Sequence, residues 1–96
     1  MKLGTVEAAR VVRDASIEAM DALNSIVVDV APLLSEAGSK DLRLAVARSM
    51  TAILENLVNP VLEECPELEV DEDTWGDIAA SRARARLTAA TESSNE

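Results

Sequence analysis

The chain reads as an all-α protein: an antiparallel helical hairpin followed by a C-terminal helix, assembled into a homo-oligomeric helical bundle. Three observations predict this. Apolar residues recur at alternating spacings of three and four through two long stretches. Between those stretches lies Glu36-Ala37-Gly38-Ser39-Lys40-Asp41, which has turn chemistry. Phe and Tyr are absent and Trp75 is the lone aromatic, so a 96-residue chain must build its core from aliphatic residues and alanine. Such a core buries little area per residue, and burial against further copies is the simplest remedy.

The first helix is expected over about 5–37. Thr5 suits an N-cap, and Glu7 places a negative charge at the positive end of the helix dipole. Ala9, Val12, Ser16, Ala19, Leu23, Ile26, Val30, Leu33 and Ala37 form its apolar seam, broadened by Ile17, Met20, Val27 and Leu34. Glu7, Arg10, Asp14, Glu18, Asp21, Ser25 and Asp29 lie opposite and are expected to face solvent. Val11 and Val28 fall outside the seam, so the apolar face is wide enough for more than one partner helix. Pro32 lacks an N–H and crowds the preceding turn, which predicts a kink or short break between Asp29 and Leu33.

In the turn, Gly38 is read as the left-handed residue that leaves the first helix, and Ser39 as the cap of the second. The second helix is expected over 40–64. Leu42, Val46, Met50, Ile53, Leu57 and Val61 face inward, with Leu54, Val58 and Leu62 beside them. Pro60 sits inside this pattern and either kinks the helix or starts a new turn; Pro66 stops it. If both helices ran unbroken, the first would be about 50 Å long and the second about 37 Å at 1.5 Å per residue. The first would then overhang near its N-terminus, and a neighbour or the C-terminal segment would have to cover Val6, Ala9 and Val12.

Residues 66–73 read as an acidic linker. Asp73 or Thr74 is expected to cap a third helix over 74–90, with Trp75, Ile78, Ala79, Ala83, Leu87 and Ala90 as its apolar stripe. Residues 1–90 then make one helical domain, and 91–96 are expected to be a disordered tail.

The net charge of −9 argues against nucleic acid and anionic membranes as partners. No stretch is long and apolar enough to span a bilayer and no leader pattern opens the chain, so the expected location is cytoplasmic. Histidine is absent, and the one cysteine, Cys65, lies at a helix end beside Glu63 and Glu64, which is a poor setting for a nucleophile. Asp71-x-Asp73 followed by Gly76 fails as a calcium loop, because Trp75 and Arg82 stand where oxygen ligands belong. Neither a metal nor an organic cofactor is expected, and an enzyme would have only Asp, Glu, Arg and Ser to work with.

Two functional expectations remain. The first is a non-enzymatic interaction protein, an adaptor, inhibitor or regulator that binds itself and another protein. Val12, Leu23, Ile26, Val30, Met50, Ile53 and Leu57 are its candidate oligomer interface. The second is an oligomer that sequesters an anionic small molecule such as a nucleotide. Arg82 and Arg86, one turn apart on one helical face, would hold the anion, with Trp75 available to stack on a base. The plainer reading is that these arginines neutralise the acidic linker and the helix C-terminus, and that Trp75 is a packing anchor.

Overall fold

A computed structural model describes residues 2–94. Among them it is all-helical, with no strand. α1 spans Val6–Val30, α2 Glu36–Ile53, α3 Asn59–Glu64 and α4 Glu72–Ser94. A wide π turn, Leu54–Val58, joins α2 to α3 without interruption, so the molecule consists of three rods. Among the described residues no helix is long and apolar enough to cross a membrane.

The N-terminus of α1 forms as its residues dictate. Thr5 is extended and its hydroxyl accepts a hydrogen bond from Ala8 N at 3.1 Å. Before it, Gly4 takes a φ of +85°, the only positive φ among the described residues, to turn the lead-in onto α1. The Glu64 carboxylate holds that lead-in by accepting from Leu3 N at 3.0 and 3.1 Å.

The turn between the first two rods falls earlier than the sequence pattern suggests. α1 ends at Val30, and Ala31–Leu33 form a 3₁₀ turn with Pro32 in its first residues. Proline removes the bond that would continue the helix, so the break comes inside the expected 29–33 window. Gly38 and Ser39 are therefore already helical. The cap of α2 is Ser35, whose hydroxyl accepts from Gly38 N at 3.1 Å. Gly38 matters here for close approach rather than handedness: a Cβ on it would sit 3.3 Å from Ser35 Oγ.

This shift reverses the expected overhang. α1 is about 37 Å long, while the rod from Glu36 to Glu64 is longer. Ala9 is covered within the chain, buried with Val61, Cys65 and Leu68; Leu3, Val12 and Leu62 pack around them, Val12 only half-buried, and Val6 stays 42% exposed. Pro60 does not end the second rod. It offers no N–H to the preceding turn, and the helix widens there, with Asn59 N–H bonding to Leu54 O five residues back.

A second cluster joins all three rods. Ile17, Met20, Val58 and Ala79 are buried together, flanked by Met50, Ile53, Leu54, Leu62, Trp75 and Ile78. Farther along, Asn24 and Val27 of α1 lie beside Arg43, Val46 and Ala47 of α2.

α4 also differs from its expected bounds. It starts earlier, because Asp71 and not Asp73 or Thr74 supplies the cap; Thr74 N donates to Asp71 Oδ1 at 2.8 Å. It also continues through 91–94, part of the expected tail, while Asn95 and Glu96 lie outside the described residues. The acidic linker is correspondingly shorter and contains a 3₁₀ turn, Pro66–Leu68, that buries Leu68.

Candidate functional site

The polar groups that the fold brings together lie where α4 crosses α1. From Trp75, steps of four, three and four residues reach Ala79, Arg82 and Arg86, so all four share one face of α4. That face meets α1. Ala79 is buried against Ile17 and Met20, and Trp75 is half-buried beside them. One helical turn on, the apolar contact gives way to charge.

Glu18 of α1 receives both arginines. Arg82 Nε donates to Glu18 Oε2 at 2.8 Å, and Arg86 Nη2 lies 2.8 Å from Glu18 Oε1. The Glu18 side chain is only 12% exposed, against 35% for Arg82 and 75% for Arg86. The carboxylate is thus enclosed by its partners, with one oxygen for each guanidinium. The inner Arg82 contact is the better shielded and the outer Arg86 contact the more open to salt.

The sequence reading placed Glu18, Asp14 and Asp21 on a solvent face of α1. The structure corrects this for Glu18 and Asp14, which are half-buried, while Asp21 remains exposed at the edge of the α1–α4 crossing. A charged stripe looks outward in sequence unless a later segment returns to cover it. Here that segment is α4 and the linker before it. Arg13, which the apolar spacing did not single out, is buried for the same reason. Its Nη1 donates to Leu68 O at 2.8 Å and its Nε to Asp14 Oδ1 at 2.8 Å. A buried guanidinium needs such acceptors, and the 66–68 turn supplies one from its backbone.

The candidate ligand residues are therefore distributed differently from their expected use. Arg82 and Arg86 converge, but on Glu18, and neither neutralises the acidic linker. Trp75 lines a separate cleft of about 320 Å³ with Ile17, Met20, Asp21, Asn24, Met50 and Leu54. A neighbouring depression of about 510 Å³ is bounded by Glu18, Asp21, Ala22, Ala83, Arg86 and Leu87. The two share Asp21, but the indole and the arginines do not open into one pocket.

Of the candidate interface residues, Met50 is half-buried and lines the Trp75 cleft. Val12, Leu23 and Ile53 are half-buried. Ile26, Val30 and Leu57 keep 40%, 37% and 37% of their surface exposed.

Cys65 is buried against Ala9, Val61 and Leu68. Burial pushes its thiol pKa up, and the nearby Glu67 and Glu64 carboxylates push it further, the opposite of what a nucleophile requires. In the acidic run, the Asp71 carboxyl is held below the usual carboxylate range by its hydrogen bonds to Thr74, first the side chain and then the backbone N–H. That carboxylate is a helix cap, and among the described residues no group of three or more Asp, Glu, Cys or His is arranged to hold a metal ion.

Comparison with known proteins yields no relative: no protein-family model, no curated protein and no solved structure matches the chain.

Proposed function

We propose that this chain is a small, acidic, non-enzymatic interaction protein, an adaptor, inhibitor or regulator. On this reading its first two rods form an antiparallel hairpin with α4 laid across it, it works as a homo-oligomer, and the oligomer engages another protein. One observation supports the reading above others. The chain exposes 6722 Å², whereas a compact monomer of its mass exposes about 5,300 Å². Its radius of gyration is 15.7 Å, against about 12.5 Å for a compact domain of this length. The surplus, about 1,400 Å² per chain, is of the size that an obligate homodimer buries. Among the described residues ten large apolar side chains, Leu33, Val28 and Leu44 among them, stand exposed.

Sequestration of an anionic small molecule has less support. An anion would have to displace the shielded Glu18 carboxylate from Arg82 and Arg86, and Trp75 is not in the same pocket. Light scattering on a sizing column tests the preferred reading. The expected mass is a multiple of the 10.2 kDa chain at micromolar concentration. A species of one chain mass at every concentration up to the millimolar range would refute it.

A further inference from the structure

The charges of α1 occupy one side of it. At about 100° per residue, Glu7, Arg10, Arg13, Asp14, Glu18, Asp21 and Asp29 fall within a little less than half a turn. On this side α4 and the linker meet α1 through Arg13–Leu68 and through Glu18 with Arg82 and Arg86, while Glu7, Arg10, Asp21 and Asp29 stay exposed. The remaining side carries Ala8, Val12, Ala15, Ala19, Ala22, Leu23, Ile26 and Val30, with no charged residue among them. Ala15, Ala19 and Ala22 are exposed there, as is Ile26. On the second rod, Leu42, Ala45, Ser49 and the half-exposed Leu57 are likewise uncharged. The fold has thus drawn Arg13, Asp14 and Glu18 under α4 and the linker and left an uncharged strip of α1 open.

We infer that this face is the seat of a second copy of the chain, with the two α1 helices packed in opposite directions about Ala19. The inference rests on the homo-oligomer reading and specifies its surface and orientation. Three arguments select this occupant. The face lacks charge, so it offers nothing to a strongly acidic or basic partner. The surplus exposed area matches what a two-fold dimer buries. The side chains are also self-complementary when the direction is reversed: about Ala19, Ala15 comes opposite Leu23, Val12 opposite Ile26 and Ala8 opposite Val30. Ala15–Leu23 and Ala8–Val30 thus set small against large around a close Ala19–Ala19 contact, whereas a parallel pairing in register sets isoleucine on isoleucine and leucine on leucine.

Charge selects the same direction. The stretch 63–77 holds eight of the 18 acidic residues and none of the nine basic ones. Its first part, 63–68, lies at the N-terminal end of α1, where Glu64 holds Leu3 N and Leu68 O holds Arg13. Parallel packing would bring two such ends together. Reversed packing about Ala19 separates the two Arg13 levels by about 18 Å along the axis, about twice the screening length of about 8 Å at physiological salt.

Disulfide trapping in a Cys65→Ala background tests this under mild oxidation. Ala19→Cys is expected to cross-link to a species of twice the chain mass, because the two residues meet at the dyad within disulfide reach. Ala8→Cys alone is expected to stay uncross-linked, and a mixture of Ala8→Cys with Val30→Cys chains to form the mixed dimer. Cross-linking of Ala8→Cys alone, or failure of Ala19→Cys to cross-link while the protein runs as an oligomer, would overturn the inference. Ala19→Glu is expected to halve the mass by light scattering. An Ala19→Glu protein that keeps the full oligomer mass would overturn this face and leave the homo-oligomer reading standing. A wild-type chain that is monomeric throughout would remove both.

Discussion

Glu18 offers one oxygen to Arg82 and the other to Arg86, and this single carboxylate joins α4 to α1 over a sequence separation of 64 residues. Because it is enclosed, its removal strands two guanidiniums beside an apolar interface. Glu18→Ala is expected to cost about 1–2 kcal/mol of stability by denaturant titration, with the larger coupling in a double-mutant cycle falling on Arg82. Asp71 gives a pH signature. Its folded carboxyl titrates below the ordinary aspartate range, so its contribution is complete above that range and is lost as the pH falls through the folded value. Asp71→Asn is expected to keep the cap and to flatten this acid dependence in thermal melts. Cys65 acts at the other extreme: its raised thiol pKa means that stability declines as the pH climbs past the ordinary thiol range of about 8.5. At this scale Thr5 was legible, since a cap is a local pattern. Glu18 and Arg13 were not, because the groups that cover them, Arg82 and Leu68 O, lie more than fifty residues away and no local spacing encodes them.

The elements show which local signals compete. Pro32 and the Gly38-Ser39 pair both mark a turn, and proline prevailed because its missing N–H ends a helix outright, whereas glycine and serine only permit an ending. Gly38→Ala distinguishes the two positions. In a left-handed turn alanine would cost about 1 kcal/mol or more. In the first turn of α2 the gain in helix propensity offsets the 3.3 Å contact with Ser35 Oγ, and the expected change is within about 0.5 kcal/mol. The three-and-four spacing pointed to two long rods but carried the first past its end at Val30 and started the second at Lys40 instead of Glu36; the end of the second at Glu64 was legible from Pro66. It did not reveal that α4 would use its Trp75–Arg86 face against the charged side of α1, since an amphipathic stripe names a buried face but not its partner. Trp75→Ala removes the half-buried anchor and is expected to cost about 2 kcal/mol. Hydrogen exchange should then rise across 72–94 while the buried turns of α1 and α2 stay protected.

For the whole molecule, the all-α class was legible from periodicity, and the absence of Phe and Tyr pointed to a thin core. The structure gives that thinness a shape: principal extents of 46 × 39 × 22 Å, about two helix diameters in its shortest dimension. A slab of this kind encloses little interior, and its stability then depends on what lies against its broad face. On the homo-oligomer reading, the melting temperature is expected to rise with protein concentration. An unchanged melting temperature over a hundredfold dilution would count against it.

Trp75 has one further consequence. It is the only indole in a chain without tyrosine, and it sits in the cleft bounded by Ile17, Met20, Met50 and Leu54. The intrinsic fluorescence of the protein therefore comes from the α4–α1 crossing alone, in a cleft lined by none of the α1 residues Ala8, Val12, Ala15, Ala19, Leu23, Ile26 and Val30. Lifting α4 exposes the indole to water and shifts its emission to longer wavelength. Separating the copies, with α4 still in place, leaves the colour of that emission unchanged. One native chromophore can thus distinguish the opening of the protomer from the parting of the pair.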